Sequence, residues 1–442
     1  MKWNKIIAVL TSVLLMFCMT ACGSSTNGNN GKGKSNKGTN ASNLDWSAGA
    51  DASGGKVTIK VASWRHNDRE YYEEIVRRFE EKYNWIEVDL SLTADSSSYY
   101  TNLQADLAFG EGVDVFDCHP GRLSSFASDG IAAPQTDFDY IENLTDAAKQ
   151  IAFIDGDCYG YPNAYNYLGF MYNVDVFKQY GLEPPQTPEE LVNVVNKLKA
   201  AGYGGISYAG GHKGDSLAKN VLYNTMGLDG YEALAEKIDD GSLLDISTNE
   251  EVKSTLDTLT YYADKDIYYN AYEAISFDAG MSLFAQKKTA IIYEGSWAIG
   301  EKDHYFPGIN VAFFPVPTFA NTGRSFCDSA QISIINSNSK ALGAAKLWVE
   351  FLATPEISEY YCNNANMNSN IKGVKITHDW EPSFFNGDYV LESNHATLKY
   401  YDYWSNSFSK VFEKALFGGG DWKPYVSSFE DELNTLNLKG KQ

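Results

Sequence analysis

The chain has 442 residues, a formal net charge of −21 and 44% hydrophobic residues. That is a globular composition on a chain long enough for two domains. The acidic balance, with no basic stripe along the sequence, counts against nucleic acid and anionic polymers as partners.

The N-terminus reads as an export signal. Lys2 and Lys5 form a basic start, and Ile6 to Phe17 is apolar apart from Thr11 and Ser12. The run is too short to span a bilayer and has signal-peptide flanks. Met19-Thr20-Ala21-Cys22 then places small residues before a cysteine. This resembles a bacterial lipobox, with Met19 where leucine is usual, and implies lipidation of Cys22. Residues 1–21 are then the signal. Residues 22–55, rich in Gly, Ser and Asn, bury too little apolar surface to fold and form a flexible tether. Two acyl chains on Cys22 suffice for stable anchoring at the extracytoplasmic face of the cell membrane.

The body starts with alternating strand and helix patterns. Lys56 to Val61 alternates with period two. Tyr72, Ile75, Val76 and Phe79 mark one face of a helix, and Ile86, Val88, Leu90 and Leu92 alternate again. Leu103 and Leu107 sit on one helical face, and Val113 to Phe116 reads as a short buried strand. This order predicts a parallel, open, twisted sheet whose ligands bind beyond the carboxyl ends of its strands. Two loops follow as candidates: Ser63-Trp64-Arg65-His66-Asn67-Asp68 and Asp117-Cys118-His119-Pro120-Gly121. Asp114, just before the second, reads as structural.

Tyr159 to Tyr172 is aromatic and uncharged, and its nearly unbroken run from Tyr165 to Tyr172 predicts a buried strand with Asn166 as a polar guest near its start. Thr187-Pro188-Glu189-Glu190 then starts a helix, with Thr187 as N-cap and Glu190 closing a capping box. That helix runs from Pro188 to Ala200, and further helices are expected over Asn220–Met226 and Glu250–Tyr262. Phe284 to Trp297 contains an apolar strand and a Gly295-Ser296 turn that delivers Trp297. Leu342 to Leu352 is a helix, and Thr354-Pro355-Glu356 caps the next one.

Cys118, Cys158, Cys327 and Cys362 remain in the body. They lack any CxxC, which argues against zinc, and outside the cytosol they allow three disulfide connectivities. The histidines are isolated, and no P-loop, GxSxG or HExxH motif occurs, so no metal, cofactor or catalytic residue is expected.

These segments closely resemble, in order and spacing, the sugar-binding, maltose-binding-protein-like family of extracellular solute-binding proteins, the receptors of ABC importers. The resemblance rests on Gly160-Tyr161-Pro162, on Met171-Tyr172-Asn173-Val174-Asp175-Val176-Phe177, on Gly181-Leu182 and on the helix start at Thr187. It extends to Gly110-Glu111-Gly112-Val113-Asp114-Val115-Phe116 and to Phe284–Trp297, where Lys287 stands in place of a glycine. It covers roughly Lys56 to Lys439 and is weakest after Ile371.

The resemblance implies an α/β, type II, two-lobe fold like that of periplasmic binding proteins. Each lobe is an open, mostly parallel sheet flanked by helices, and three hinge crossings join them. Residues 56–165 and 316–365 form the N-terminal lobe; 166–315 and 366–442 form the C-terminal lobe. The second crossing is placed at Ala312–Pro317 and the third within Asn363–Thr377. The implied function is capture of an oligosaccharide in the interlobe cleft and delivery to membrane permease subunits by a lipid-anchored monomer. Trp64, Trp297 and Trp404 are the expected sugar-stacking platforms. Asn67, Asp68, Asp117, His119, Asn166 and Asp328 are the expected hydrogen-bonding set. Neighbouring strands in the family make a Cys118–Cys327 disulfide a further expectation. The alternatives are a secreted carbohydrate-active enzyme, which needs two carboxylates converging in a cleft, and a surface adhesin.

Overall fold

Period-two alternation puts Ile59 and Val61 on the buried face of β1 (Val57–Ser63). The same pattern makes β2 (Ile86–Leu92), which pairs parallel with β1 along its whole length. β3 (Val115–Cys118) pairs parallel on the other side of β1. It starts at Val115 rather than Val113. Asp114 is structural, accepting the Lys60 N–H at 2.8 Å and the Ser339 hydroxyl at 2.5 Å. The helix Arg69–Lys82 covers this sheet with Tyr72, Ile75 and Phe79. The chain is a computed structural model that describes residues 44–442 apart from 95, 110–111, 211–215, 301, 321, 377, 381–388, 392–400 and 441–442.

A short hairpin of β4 (Phe153–Ile154) and β5 (Asp157–Cys158) leads into β6 (Tyr161–Asn173), the aromatic strand. Its second half pairs antiparallel with β7 (Ile291–Gly295) and β8 (Val311–Phe314). A Cβ on Gly169 would meet the Phe313 ring at 2.6 Å and the Phe314 carbonyl oxygen at 2.8 Å, so only glycine lets β8 lie this close. The first half of β6 pairs antiparallel with β9 (Ser325–Ile335), whose far end pairs with β3. β10 (Asn368–Ser369) joins β6 at Tyr165 and Ala164, and β11 (Tyr389–Leu391) runs parallel to the start of β9. One continuous nine-stranded sheet therefore passes through both halves of the molecule. It is parallel at β1, β2 and β3 and antiparallel where β6 and β9 carry the chain between halves.

Two main cores flank the middle of this sheet. One gathers Ile59, Phe79, Trp348 and Val349; the other gathers Phe170, Val195, Leu198, Leu256 and Phe412. The helix Pro188–Ala200 enters the second core as expected. Thr187 Oγ1 accepts the Glu190 N–H at 3.2 Å, while the Glu190 carboxylate accepts the Gln186 N–H at 2.8 Å, one residue before the expected partner. The helix expected over Asn220–Met226 is the first part of Ser216–Asp239, which breaks at Gly227 (φ 72). Val316 and Phe326 both pack in the second core. Ile371 packs in the first core, and Trp380 packs against Phe313.

Residues 44–55 depart from the expected tether. The Trp46 ring meets Phe138 edge-on at 5.1 Å, the Gly343 N–H donates to the Ala48 carbonyl at 2.8 Å, and Trp85 Nε1 donates to the Gly49 carbonyl at 3.2 Å. Two aromatic partners outweigh a local composition that reads as linker. The expected Cys118–Cys327 disulfide is also corrected. Cys118 lies opposite Ile332 in the β3–β9 register, while Cys327 lies opposite Tyr167 on β6. Five residues of strand at about 3.3 Å each separate the two positions, beyond the reach of a disulfide. All four described cysteines are buried free thiols.

Candidate functional site

β1 and β3 are parallel, so the loops after Ser63 and Cys118 open on the same side of the sheet. A cleft of about 660 Å³ lies there. One wall comes from these loops, with Trp64, Arg65, His119 and Arg122, and from Tyr100 on the helix Ser96–Phe109. Consecutive helical residues point about 100° apart, and the Tyr99–Tyr100 pair uses this. Tyr99 turns inward, its hydroxyl donating to the Asp117 carbonyl at 2.6 Å. Tyr100 turns to the cleft, where its hydroxyl accepts the His119 N–H at 2.8 Å. The Trp64 ring leans on both, at 5.4 Å and 6.0 Å between centroids. The Arg122 guanidinium lies 4.0 Å from the centre of the Tyr100 ring.

The floor is the β6–β9 pair. Asn166 stands directly opposite Asp328 in the antiparallel register, so both side chains leave the sheet on one face. Ala330, two residues on, shares that face and leaves room above it. Asp328 Oδ1 is 3.4 Å from His119 Nε2, which ties the β3 loop to the hinge strand.

The other half of the chain contributes Trp297. β7 runs into Ser296, whose N–H donates to the Tyr167 carbonyl at 2.8 Å and whose Oγ accepts the Tyr167 N–H at 3.2 Å. A Cβ on Gly295 would fall 1.8 Å from the Trp297 ring, so the ring rests against bare backbone. Glycine is needed there for close approach. Trp297 is half-buried, packed against the second core on one side and lining the cleft on the other. Lys287 takes the left-handed turn (φ 57) where the resemblance expects glycine, well before the site.

Behind the first wall runs a buried polar chain. Asp68 accepts Arg65 Nε at 2.7 Å and the Tyr361 hydroxyl at 2.8 Å. Gln331 Nε2 donates to the hydroxyls of Tyr361 at 3.3 Å and Tyr72 at 2.8 Å. Asp117 accepts the Tyr72 hydroxyl at 3.2 Å and the Ser333 hydroxyl at 2.6 Å. Burial pushes the Asp117 carboxyl above the usual carboxylate range, against the hydrogen bonds from Ser333, Ser63 and Tyr72 that pull it down.

Of the residues expected from sequence, Trp64, His119, Asn166, Trp297 and Asp328 line the cleft. Asp68 and Asp117 are buried at 4% exposure in the polar chain behind it. Asn67 is exposed in the turn His66–Asp68, outside the lining set. Trp404 begins near the start of the helix Tyr401–Gly418, with its side chain outside the described residues, as is Cys22. Arg65, Tyr100 and Arg122 were missed. Their signal was adjacency: two lie in or next to the loops singled out, and Tyr100 directly follows the buried Tyr99 in the first turns of its helix.

Residues 63–359 match the family described as bacterial extracellular solute-binding protein. The chain belongs to that family. Its match begins at the last residue of β1 and covers every described lining residue of the cleft. This solute-binding protein is 22% identical over 325 residues to the multiple sugar-binding protein of Streptococcus mutans, covering 72% of this chain and 76% of that one. It is 21% identical over 372 residues to the melibiose/raffinose/stachyose-binding protein MelE of Bacillus subtilis, covering 80% and 82%. Among solved structures, RafE in complex with raffinose superposes with a TM-score of 0.63 at 20% identity, covering 86% of this chain and 99% of that one. That likeness shows the shared two-lobe fold. Among the described residues, no helix of this solute-binding protein is long and apolar enough to cross a membrane.

Proposed function

We propose that this protein captures an oligosaccharide between its two halves and passes it to the permease of an ABC importer, without chemistry. The observation that carries the reading is the pairing of Trp64 and Trp297, from different halves of the chain, on one cleft of about 660 Å³. Small-ligand sites span about 300–1,000 Å³. A sugar offers apolar C–H faces to such rings and hydroxyls to groups such as Asn166, Asp328 and His119. β6, β9 and β10 meet at the floor, and bending there closes the two halves and shifts a pre-existing equilibrium. The names of the relatives in Streptococcus mutans and Bacillus subtilis support a carbohydrate ligand. The enzyme alternative requires two converging carboxylates, and Asp328 is the one carboxylate among the described lining residues. Calorimetric titration with raffinose, stachyose and xylo-oligosaccharides, with chromatography of the mixture afterwards, is expected to show binding with the sugar intact. Released shorter sugars, or no heat with any neutral or acidic oligosaccharide, would sink the reading.

The proposal includes the lipid anchor at Cys22. Its support is the apolar run, the small residues before Cys22 and the polar stretch after it. Residues 44–55 dock on the first half of the body and so belong with it rather than with the expected tether. Cys22→Ala should abolish incorporation of labelled fatty acid and shift the protein out of the membrane fraction. Unchanged labelling would remove the anchor from the proposal.

A further inference from the structure

We infer that the sugar this cleft takes carries a carboxylate, as a uronic acid residue does, and that Arg122 reads it. The inference rests on the carbohydrate reading of the cleft. It starts from charge. The whole chain is strongly acidic, at −21, so its cations have carboxylates to choose from. Arg65, Arg69, Arg77 and Arg78 each have one within 4 Å. Among the described residues, Arg122 has no carboxylate partner, although it lines the cleft.

Arg65 is held by Asp68, and the Asp328 carboxylate lies 3.4 Å from the His119 ring on the floor of the cleft. Of the two arginines among the described lining residues, Arg122 is therefore the one without a carboxylate. It is also held in place. Its carbon lies 4.0 Å from the Tyr100 ring centre, and that ring is itself pinned by the His119 N–H and by Trp64. A ring face attracts a guanidinium but accepts none of its in-plane hydrogen bonds. Its N–H edge remains for a ligand next to two indole platforms. A sugar hydroxyl accepts one bond and leaves the charge unbalanced. A carboxylate accepts two parallel bonds and neutralises it. The acidic protein as a whole repels anions, so this recognition is local, suited to a short acidic oligosaccharide rather than an extended polyanion.

The test uses matched pairs: xylotriose with and without a glucuronic acid branch, and trigalacturonate against galactotriose, with raffinose as a third neutral probe. Each is titrated calorimetrically into the native protein and into Arg122→Gln. The expected result is about tenfold tighter binding of the acidic member of at least one pair, a preference that collapses towards unity in Arg122→Gln. The side chain is exposed, so the variant folds, and its melting temperature checks this. Neutral sugars binding as tightly as acidic ones, or a preference that survives the substitution, overturns the inference and leaves the carbohydrate reading standing. No binding of any probe overturns both.

Discussion

Trp297→Ala should weaken binding of the best oligosaccharide about thirtyfold and lower unfolding stability by only about 1–2 kcal/mol. An aromatic face stacked on a sugar removes apolar area from water worth roughly 2 kcal/mol, and each 1.4 kcal/mol is a factor of ten. The smaller stability term reflects the half-buried ring, which touches the second core as well as the cleft. A wholly internal tryptophan would instead cost roughly 3–5 kcal/mol on truncation. Gly295→Ala is the companion variant. Its added Cβ would sit 1.8 Å from the ring and must displace it. Affinity should fall here too, with the indole still present. Titration and urea unfolding on both proteins decide the matter. A stability loss near the core value with affinity intact takes Trp297 out of the site.

The strands were legible because burial dictates residue type there. β6 is buried at twelve of its thirteen positions, and its aromatic run announced it. The helix Pro188–Ala200 was legible from a cap with a mechanism, Thr187 and Pro188. Trp297 was legible because a small-residue turn precedes it, and the structure gives the reason in the contact between ring and Gly295. What sequence could not give was direction. Asp68 and Asp117 sit in the same loops as Trp64 and His119, yet turn inward to Tyr361, Tyr72 and Ser333. A loop composition rich in polar residues does not say which of them face water. The partners that settle it come from a distant helix and from β9. Arg122 was passed over for the same reason: its neighbour Tyr100 is distant in sequence and close in space.

The second-core packing of Val316 and the docking of residues 44–55 escaped for a different reason. Pro315 and Pro317 break a strand locally, but the chain stays packed on the second core through Val316 and Phe326. Local punctuation marks the end of an element, not the lobe to which it belongs. Around Trp46 one aromatic pair and the hydrogen bonds to the Ala48 and Gly49 carbonyls fix a segment whose composition otherwise reads as linker.

Asp117→Ala should cost about 3–5 kcal/mol of stability, the largest loss expected from any single truncation of the buried polar chain. The carboxylate accepts from Ser333, Ser63 and Tyr72; removing it takes the acceptor from the Tyr72 and Ser63 hydroxyls in a site that is 4% exposed, while Ser333 keeps Asn163 Oδ1 at 3.1 Å. Each buried donor without an acceptor costs about 1–3 kcal/mol. Asp117→Asn keeps an oxygen acceptor and should cost less. It also isolates the charge. Burial raises the folded pKa of Asp117 above its unfolded value, the hydrogen bonds only partly opposing it. The stability linked to that shift is fully present below the unfolded pKa, near about 3.9, and is lost as pH rises through the folded pKa. The asparagine variant has no such loss. Its deficit against the native protein should therefore shrink between about pH 4 and pH 7 in urea unfolding series. A deficit that widens over the same range would mean that the Ser333, Ser63 and Tyr72 hydroxyls outweigh burial and that the folded carboxylate is favoured. In that case the polar chain would stabilise a charge behind the cleft wall instead of tolerating one.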